Sequence, residues 1–202
     1  MYTYRLETPD DWARVEALTR EAFWNVYKPG CDEHYIVHSL RGSSAVLPGL
    51  NYVCEEEGRL CGHIFWTQSL VEAPDGRTAP VLTFGPVSIL PACQGRGIGS
   101  ALIRMTLEKA RTLDYPGAVI TGSPRYYRRF GFRDAASWGI VFEDGSSFPE
   151  LMALEFGPRR LDAVRGRVRF CPEFSAVDPE ALLDFDRQFP AREKLRLPGQ
   201  LG

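Results

Sequence analysis

Gln94-Gly95-Arg96-Gly97-Ile98-Gly99-Ser100 lies between an apolar extended run, Val81 to Leu90, and an amphipathic helical pattern from Ile98 to Leu113. Three glycines at alternate positions leave the backbone N–H groups uncovered by Cβ atoms. A helix that begins there points its positive dipole end and its unpaired N–H groups at the loop. Such a turn suits a phosphate or pyrophosphate and predicts a nucleotide-like ligand. The spacing narrows the choice. No Lys follows the glycines, so the loop is not a Walker A loop. Read as G-x-G-x-x-G, the third position falls on Ser100 or on Leu102, so the Rossmann pattern fails as well. What remains is Q-x-x-G-x-G after a strand and before a long helix. The alternative reading is an ordinary glycine-rich turn between strand and helix.

A second element, Tyr126-Tyr127-Arg128-Arg129-Phe130-Gly131-Phe132, stands about one helix and one strand further on. Gly131 after Phe130 reads as a helix C-cap, because a left-handed residue there carries no steric penalty when it is Gly. Tyr127 sits on the last turn before it. Val119-Ile120-Thr121 reads as a short strand between the two elements. In this order the two motifs resemble those of the GNAT superfamily of acyl-CoA-dependent N-acyltransferases. That superfamily has a Q-x-x-G-x-G pyrophosphate loop and a Y-x-x-x-G-F ending after its fifth strand. Gly85-Pro86-Val87-Ser88-Ile89-Leu90-Pro91 and Ser123-Pro124-Arg125-Tyr126-Tyr127 are similar to the YhbS-type subgroup of predicted bacterial N-acetyltransferases. The resemblance covers roughly residues 3 to 172. It departs in one respect. Many members open the helix before the Tyr with an Asn, whereas here the equivalent is Gly122-Ser123-Pro124, with Ser123 as a cap and Pro124 at the first helical position.

The resemblance implies an α/β (α+β) fold with a mixed, splayed central sheet and helices on both faces. In that plan the sheet parts after its fourth strand, and the acyl-pantetheine lies in the gap like an added strand. The backbone groups of Pro86 to Leu90 are then unpaired until the ligand arrives, which favours an amide-bearing ligand. Acetyl-CoA is implied as co-substrate, with no metal. Carried over by position, the cofactor-binding residues are Val87, Ser88 and Ile89 on the strand, and Gln94, Gly95, Arg96, Gly97, Ile98, Gly99 and Ser100 in the loop. Ser123 and Tyr126 follow beyond the fifth strand. Tyr127 is the candidate catalytic acid, near the CoA sulfur.

Composition allows one ordinary domain, or a domain with a short appendage: 202 residues, 44% apolar and 12% aromatic. We read residues 1–174 as the acyltransferase domain and 175–202 as a C-terminal helical extension. A formal net charge of −2 gives no global attraction to nucleic acid or to an acidic membrane. Arg125/Arg128/Arg129 and Arg159/Arg160/Arg165/Arg167/Arg169 are basic clusters; both read as solvated surface, and the first also suits the phosphates of CoA. The five cysteines, Cys31, Cys54, Cys61, Cys93 and Cys171, are odd in number and contain no C-x-x-C, which fits a reducing cytoplasm. The start of the chain lacks a signal-peptide pattern, and no apolar run approaches the ~18 residues that a membrane span needs.

Along the chain, Tyr4 to Glu7 reads as a first strand and Asp10 or Asp11 as the cap of a helix. Val15, Leu18, Ala22 and Val26 form the stripe of that helix, which Pro29-Gly30 ends. A second helix runs from Asp32 to Leu40. Strands follow at Tyr52 to Glu56 and Leu60 to Glu72, joined at Glu57-Gly58; Pro74-Asp75-Gly76 makes the next turn. Later strands are read at Gly139 to Phe142, Leu151 to Phe156 and Val164 to Phe170. The tail carries a helix after Asp178-Pro179, with Ala181, Leu182, Phe185 and Phe189 in one stripe. That stripe must bury on the domain, on a second subunit in a homodimer, or on another partner.

The implied reaction is direct acetyl transfer to an amine in a ternary complex. The amine attacks as the free base, and the leaving thiolate takes a proton or a hydrogen bond, for which the Tyr127 hydroxyl is placed. Backbone N–H groups of Val87 to Ile89 are candidates for the oxyanion. By residue type, Glu55, Glu56, Glu72, His34 and His63 are candidate bases. Cys93 is not needed, since direct transfer has no covalent intermediate. The acceptor is a small-molecule or peptide amine. Trp24, Tyr27, His34 and Trp138 to Phe142 are expected to line its cleft, where aromatics can hold a cation. The competing class is a non-catalytic module that binds or senses acyl-CoA on the same fold.

Overall fold

A computed structural model describes residues 1–200. In chain order the strands and helices are β1 (Tyr2–Leu6), α1 (Trp12–Phe23), α2 (Glu33–Leu40), β2 (Tyr52–Glu56), β3 (Arg59–Glu72), β4 (Thr78–Ile89), α3 (Ile98–Ala110), β5 (Gly117–Thr121), α4 (Pro124–Tyr127), β6 (Arg133–Asp134), β7 (Ile140–Val141), β8 (Leu151–Glu155), β9 (Gly166–Arg169) and α5 (Pro179–Asp186). The chain divides into two compact units. The first holds Met1–Phe65, Pro86–Ile103 and the residues from Pro172 onward; the second holds Trp66–Gly85 and Arg104–Cys171.

In the first unit β1, β2 and β3 form an antiparallel ribbon, paired from Tyr2↔Glu56 to Leu6↔Tyr52 and from Tyr52↔Ile64 to Glu56↔Arg59, the second ladder shifting register between Cys54 and Glu55. The β2–β3 hairpin turns at Glu57 and Gly58, both with positive φ (53° and 76°), which matches the right-handed twist of the strands. Helices cover both faces. On β4, Ser88 is fully buried and its hydroxyl lies 2.9 Å from Thr19 of α1. The next residue, Ile89, points to the opposite face, where its Cδ1 lies 2.7 Å from an ideal Cβ built on Gly62. Ile98 and Leu102 of α3 crowd the same spot, at 3.0 and 3.3 Å. Gly62 therefore lets the start of α3 approach β3 closely.

The first helix differs at both ends from the reading above. The chain enters through a 3-10 turn, Pro9–Asp11, closed by a capping box between Thr8 and Asp11. Asp11 makes no side-chain cap to α1. Its carboxylate instead takes a forked pair of bonds from Arg5, at 2.6 and 2.8 Å, and one from the Thr8 amide at 2.9 Å. The helix stops at Phe23, well before Pro29-Gly30, because Asn25 adopts a left-handed conformation (φ 61°) and its side-chain oxygen accepts the Gly30 N–H at 2.7 Å. Val26 thus lies outside the helix and is exposed.

In the second unit β5 pairs antiparallel with β8 from Gly117↔Glu155 to Thr121↔Leu151, β8 pairs with β6, and β3 pairs with β9. Two ladders are parallel, β7 with β9 and β4 with β5, so the sheet is mixed. The β4–β5 ladder has one register pair, Leu82↔Ala118, reinforced by the Thr83 hydroxyl on the Val119 carbonyl at 2.9 Å. No further β4–β5 pair follows among the described residues. The β3–β4 pair is irregular. Thr83 shares a face with Ser69 (hydroxyls 2.7 Å apart) and Ile89 shares one with Gly62, a change of parity that a regular strand cannot make. Gly85, at φ 148°, lies in the stretch where the parity changes. The core of this unit is Val71, Val81, Val119, Ala135, Ile140, Leu151, Ala153, Leu161, Val164 and Val168. β6, two residues long, has no counterpart in the sequence reading. β9 is shorter than its predicted Val164 to Phe170 and opens on Gly166, where a Cβ would stand 2.0 Å from the Glu72 carbonyl oxygen.

Candidate active site

The glycine loop belongs to the first unit. After β4 the chain makes a 3-10 turn, Pro91–Cys93, and the Gln94 amide Nε2 donates to the Ile89 carbonyl at 3.2 Å, tying the loop to the end of its strand. Gly95 and Gly97 both take left-handed backbones, φ 75° and 82°, and no other atom lies within 4 Å of a Cβ built on either. Glycine is needed here for the backbone and not for space. The Ala101 N–H donates to the Gly97 carbonyl at 3.0 Å. Gln94, Gly95, Arg96 and Gly97 are exposed; Ile98 and Gly99 are buried, so only their backbones can serve a ligand. Arg96 reaches Tyr2 Oη at 3.5 Å and Glu56 at 4.0 Å.

Of the strand residues named from sequence, Ser88 turns its side chain to Thr19 and away from any ligand on the other face of the strand. The Leu90 amide is not an unpaired group, as had been expected: it donates to the Cys61 carbonyl at 2.9 Å. Cys93 is buried within the loop, 7% exposed, and burial with the neighbouring Cys93 thiol pushes Cys61 up to about 11.

The phenol belongs to the second unit. Ser123 stands at the N-cap of α4 with Pro124 behind it, as read from sequence, but its side chain makes no capping bond; its carbonyl accepts the Tyr126 and Tyr127 amides at 2.9 and 3.0 Å. A 3-10 turn, Arg128–Phe130, continues the helix to Gly131, which is left-handed at φ 94° and ends it as expected. Tyr126 and Tyr127 are half-buried, with rings 5.1 Å apart and nearly perpendicular. Tyr127 also packs at 5.8 Å from Phe84 of β4 and 6.0 Å from Phe132. The guanidinium of Arg129 lies 4.7 Å over Tyr126.

The candidate bases fare differently. His63 is fully buried, 3.6 Å from Glu7, so it does not reach a cleft. Burial pushes the Glu7 carboxyl up, but His63 and Arg41 outweigh it and hold it below its usual value. His34 is also fully buried, with Nε2 3.0 Å from Asp186 and Nδ1 3.5 Å from the Cys31 sulfur. Glu55 is bound by Arg5 at 2.7 Å and Glu72 by Arg169 at 3.0 Å. Of the expected acceptor lining, Trp24 is buried, its indole N–H on the Glu193 carbonyl at 3.0 Å, and Tyr27 is exposed. Trp138 and Phe142 pack on the core of the second unit. Signals for these burials were absent from sequence, because the covering residues lie far along the chain. The arginines of the second basic cluster are engaged on the surface: Arg159 with Asp162, Arg160 with Asp114, Arg169 with Glu72.

The family model for the Acetyltransferase (GNAT) domain matches residues 3–135. The uncharacterized N-acetyltransferase YjhQ of Escherichia coli (strain K12) is 29% identical over 136 residues, 67% of this chain and 71% of that protein. A GNAT family acetyltransferase from Brucella melitensis, solved in complex with acetyl-CoA, is 34% identical with a TM-score of 0.70, over 87% of this chain and 99% of that one. YhbS of Escherichia coli, a GNAT family N-acetyltransferase solved in complex with CoA, shares the fold with a TM-score of 0.76 at 23% identity, over 88% and 93% of the two chains.

Proposed function

The chain belongs to the GNAT acetyltransferase family, and from that premise we propose that it moves the acetyl group of acetyl-CoA directly to a primary amine in a ternary complex. The observation that carries this reading is the loop at Gly95 and Gly97: two left-handed glycines with open space around them, ahead of the first turn of α3. Those amides, with the helix dipole behind them, grip the diphosphate of CoA. Gln94 sets the loop against β4, and Arg96 and Ser100 add polar groups to it. Val87, Ser88 and Ile89 offer backbone groups to the pantetheine amides and to the developing oxyanion. Ser123 and Tyr126 belong to the cofactor set through the α4 turn. The Tyr127 hydroxyl gives its proton or hydrogen bond to the leaving sulfur, a step worth about 10²–10⁴ in rate.

The acceptor is a small-molecule or peptide amine. No described helix is long and apolar enough to cross a membrane. The odd number of cysteines without a C-x-x-C supports a reducing cytoplasm. We read residues 1–174 as the acyltransferase domain and 175–202 as its extension, with a homodimer as a further expectation. Calorimetry with acetyl-CoA tests the grip. Thiol release from acetyl-CoA in the presence of spermidine, an aminoglycoside, lysine or a short peptide tests the transfer. Absence of acetyl-CoA binding would overturn the assignment; binding with no thiol release from any acceptor would favour a non-catalytic acyl-CoA module.

A further inference from the structure

Gly122 directly follows β5 and precedes the α4 turn, and nothing in its backbone asks for glycine. Its φ lies outside the left-handed range that marks Gly95, Gly97 and Gly131. Its N–H donates to the Glu150 carbonyl at 2.8 Å, continuing the β5–β8 pairing, which any residue can do. What excludes a side chain is the Tyr127 ring. A Cβ built on Gly122 would stand 2.2 Å from Tyr127 Cε2, 2.7 Å from Cδ2 and 3.3 Å from Cζ. The ring therefore rests against the Gly122 Cα, where a methyl group has no room. Its other neighbours are aromatic: Phe84 at 5.8 Å, Phe132 at 6.0 Å and Phe130 at 6.3 Å between ring centres. Phe132 is 1% exposed and Phe84 5% exposed, so these walls belong to the core and do not yield cheaply.

We propose that Gly122 is a positioning residue: the bare Cα at the end of β5 is the seat that holds the Tyr127 phenol at the height where its hydroxyl meets the CoA sulfur. The inference rests on the reading of Tyr127 as the acid. Backbone at 122 is pinned to Glu150, so a Cβ there moves the ring and not the strand. Three of the Cβ distances run along one edge of the ring, from Cδ2 to Cζ, so the displacement carries the hydroxyl with it. A misplacement of about 1 Å is enough to cost about 10²-fold in rate.

The test combines a crystal structure with two mutant cycles. In Gly122→Ala the Tyr127 ring is expected to leave its place by about 1 Å or more, since contacts below 3 Å cannot persist. The melting temperature is expected to fall in Gly122→Ala and to be unaffected by the same change in a Tyr127→Ala background, where the ring is gone. This second comparison also covers the case in which Gly122→Ala alone does not fold. In thiol release with the best acceptor of spermidine, an aminoglycoside, lysine and a short peptide, Gly122→Ala is expected to lower kcat at least tenfold with little change in the KM for acetyl-CoA. The loss should vanish in a Tyr127→Phe background, which a merely structural defect would not do. An unmoved ring, or an equal thermal cost in both backgrounds, overturns the seat. Full thiol release by Tyr127→Phe, with the ring shift observed, instead withdraws the acid assignment and with it the catalytic meaning of the seat.

Discussion

Tyr127 is surrounded by rings on a four-residue helix, so its removal can be made nearly silent to packing. Tyr127→Phe keeps every ring contact and deletes one oxygen. We expect turnover to fall more than tenfold while acetyl-CoA affinity changes little, because the phenol serves the leaving sulfur and the loop serves the diphosphate. Unchanged turnover would take the acid role from this residue. Asp11 illustrates the opposite case, a residue whose work is structural. Its carboxylate is almost fully buried beneath Arg5, whose forked bonds, together with those from Thr8, hold it well below the usual carboxylate range. Asp11→Asn should cost about 2 kcal/mol, in line with bonds to charged groups. A carboxyl with a lowered folded pKa adds stability that is complete above its unfolded value, about 4, and is lost as pH falls through the folded value. The deficit of the mutant in chemical denaturation should thus be full at pH 7 and shrink below about pH 4; a deficit independent of pH would contradict this account. Residue type alone made Asp11 a helix cap and His63 a base. The partners that decide otherwise, Arg5 on the neighbouring strand and Glu7 beneath His63, follow from the β1–β2–β3 register, which a single residue does not announce.

At the scale of elements, local signals were legible where the chain turns through glycine. Glu57-Gly58 set the β2–β3 hairpin and Gly131 ended the α4 turn at the expected places. The stop of α1 was misread because the determinant is Asn25, a left-handed residue clamped by the Gly30 amide, and Pro29-Gly30 merely follow it. The glycine loop was legible for a different reason: its conformation is unusual at alternate positions, and only glycine tolerates that. This makes a direct prediction. At Gly97 there is open space but φ is 82°, so Gly97→Ala brings no clash, only left-handed strain of about 1–2 kcal/mol. The loop relieves it by turning its amides away from the diphosphate. Acetyl-CoA affinity measured by calorimetry should fall about tenfold, the equivalent of 1.4 kcal/mol, with a small change in thermal stability. Equal affinity in the variant would mean that these amides do not hold the carrier. By contrast, the burial of Ser88 against Thr19 gave no such signal, since an outward and an inward serine look alike in an alternating strand.

At the scale of the molecule, the C-terminal segment is the feature that composition and periodicity left open, and its place is within the first unit. The Phe185 and Phe189 rings lie 5.5 and 5.4 Å from His34 of α2. Asp186 accepts from Arg20 at 2.9 Å, beside its contact with His34. Beyond the helix, the Pro190 carbonyl takes Arg20, the Glu193 carbonyl takes Trp24, and the Leu195 amide donates to Asn25. His34 is the titrating element of this fastening. Burial lowers its pKa, opposed by the Asp186 carboxylate; Arg20 lowers it further and Asp32 raises it. Between that lowered value and about 6.5, the unfolded or detached segment leaves His34 free to bind a proton that the packed form refuses. Attachment therefore weakens as pH falls below about 6.5, with a limiting slope of about 1.4 kcal/mol per pH unit for one proton. Hydrogen exchange corrected for intrinsic rates should show amides of residues 182–189 opening progressively from pH 7 to pH 5, ahead of those in β2. His34→Gln, which cannot charge, should flatten that dependence while lowering protection at pH 7. Protection that is flat with pH in the unmodified chain would show that His34 stays paired with Asp186 in both protonation states, and that the segment is held by its phenylalanines and backbone bonds alone.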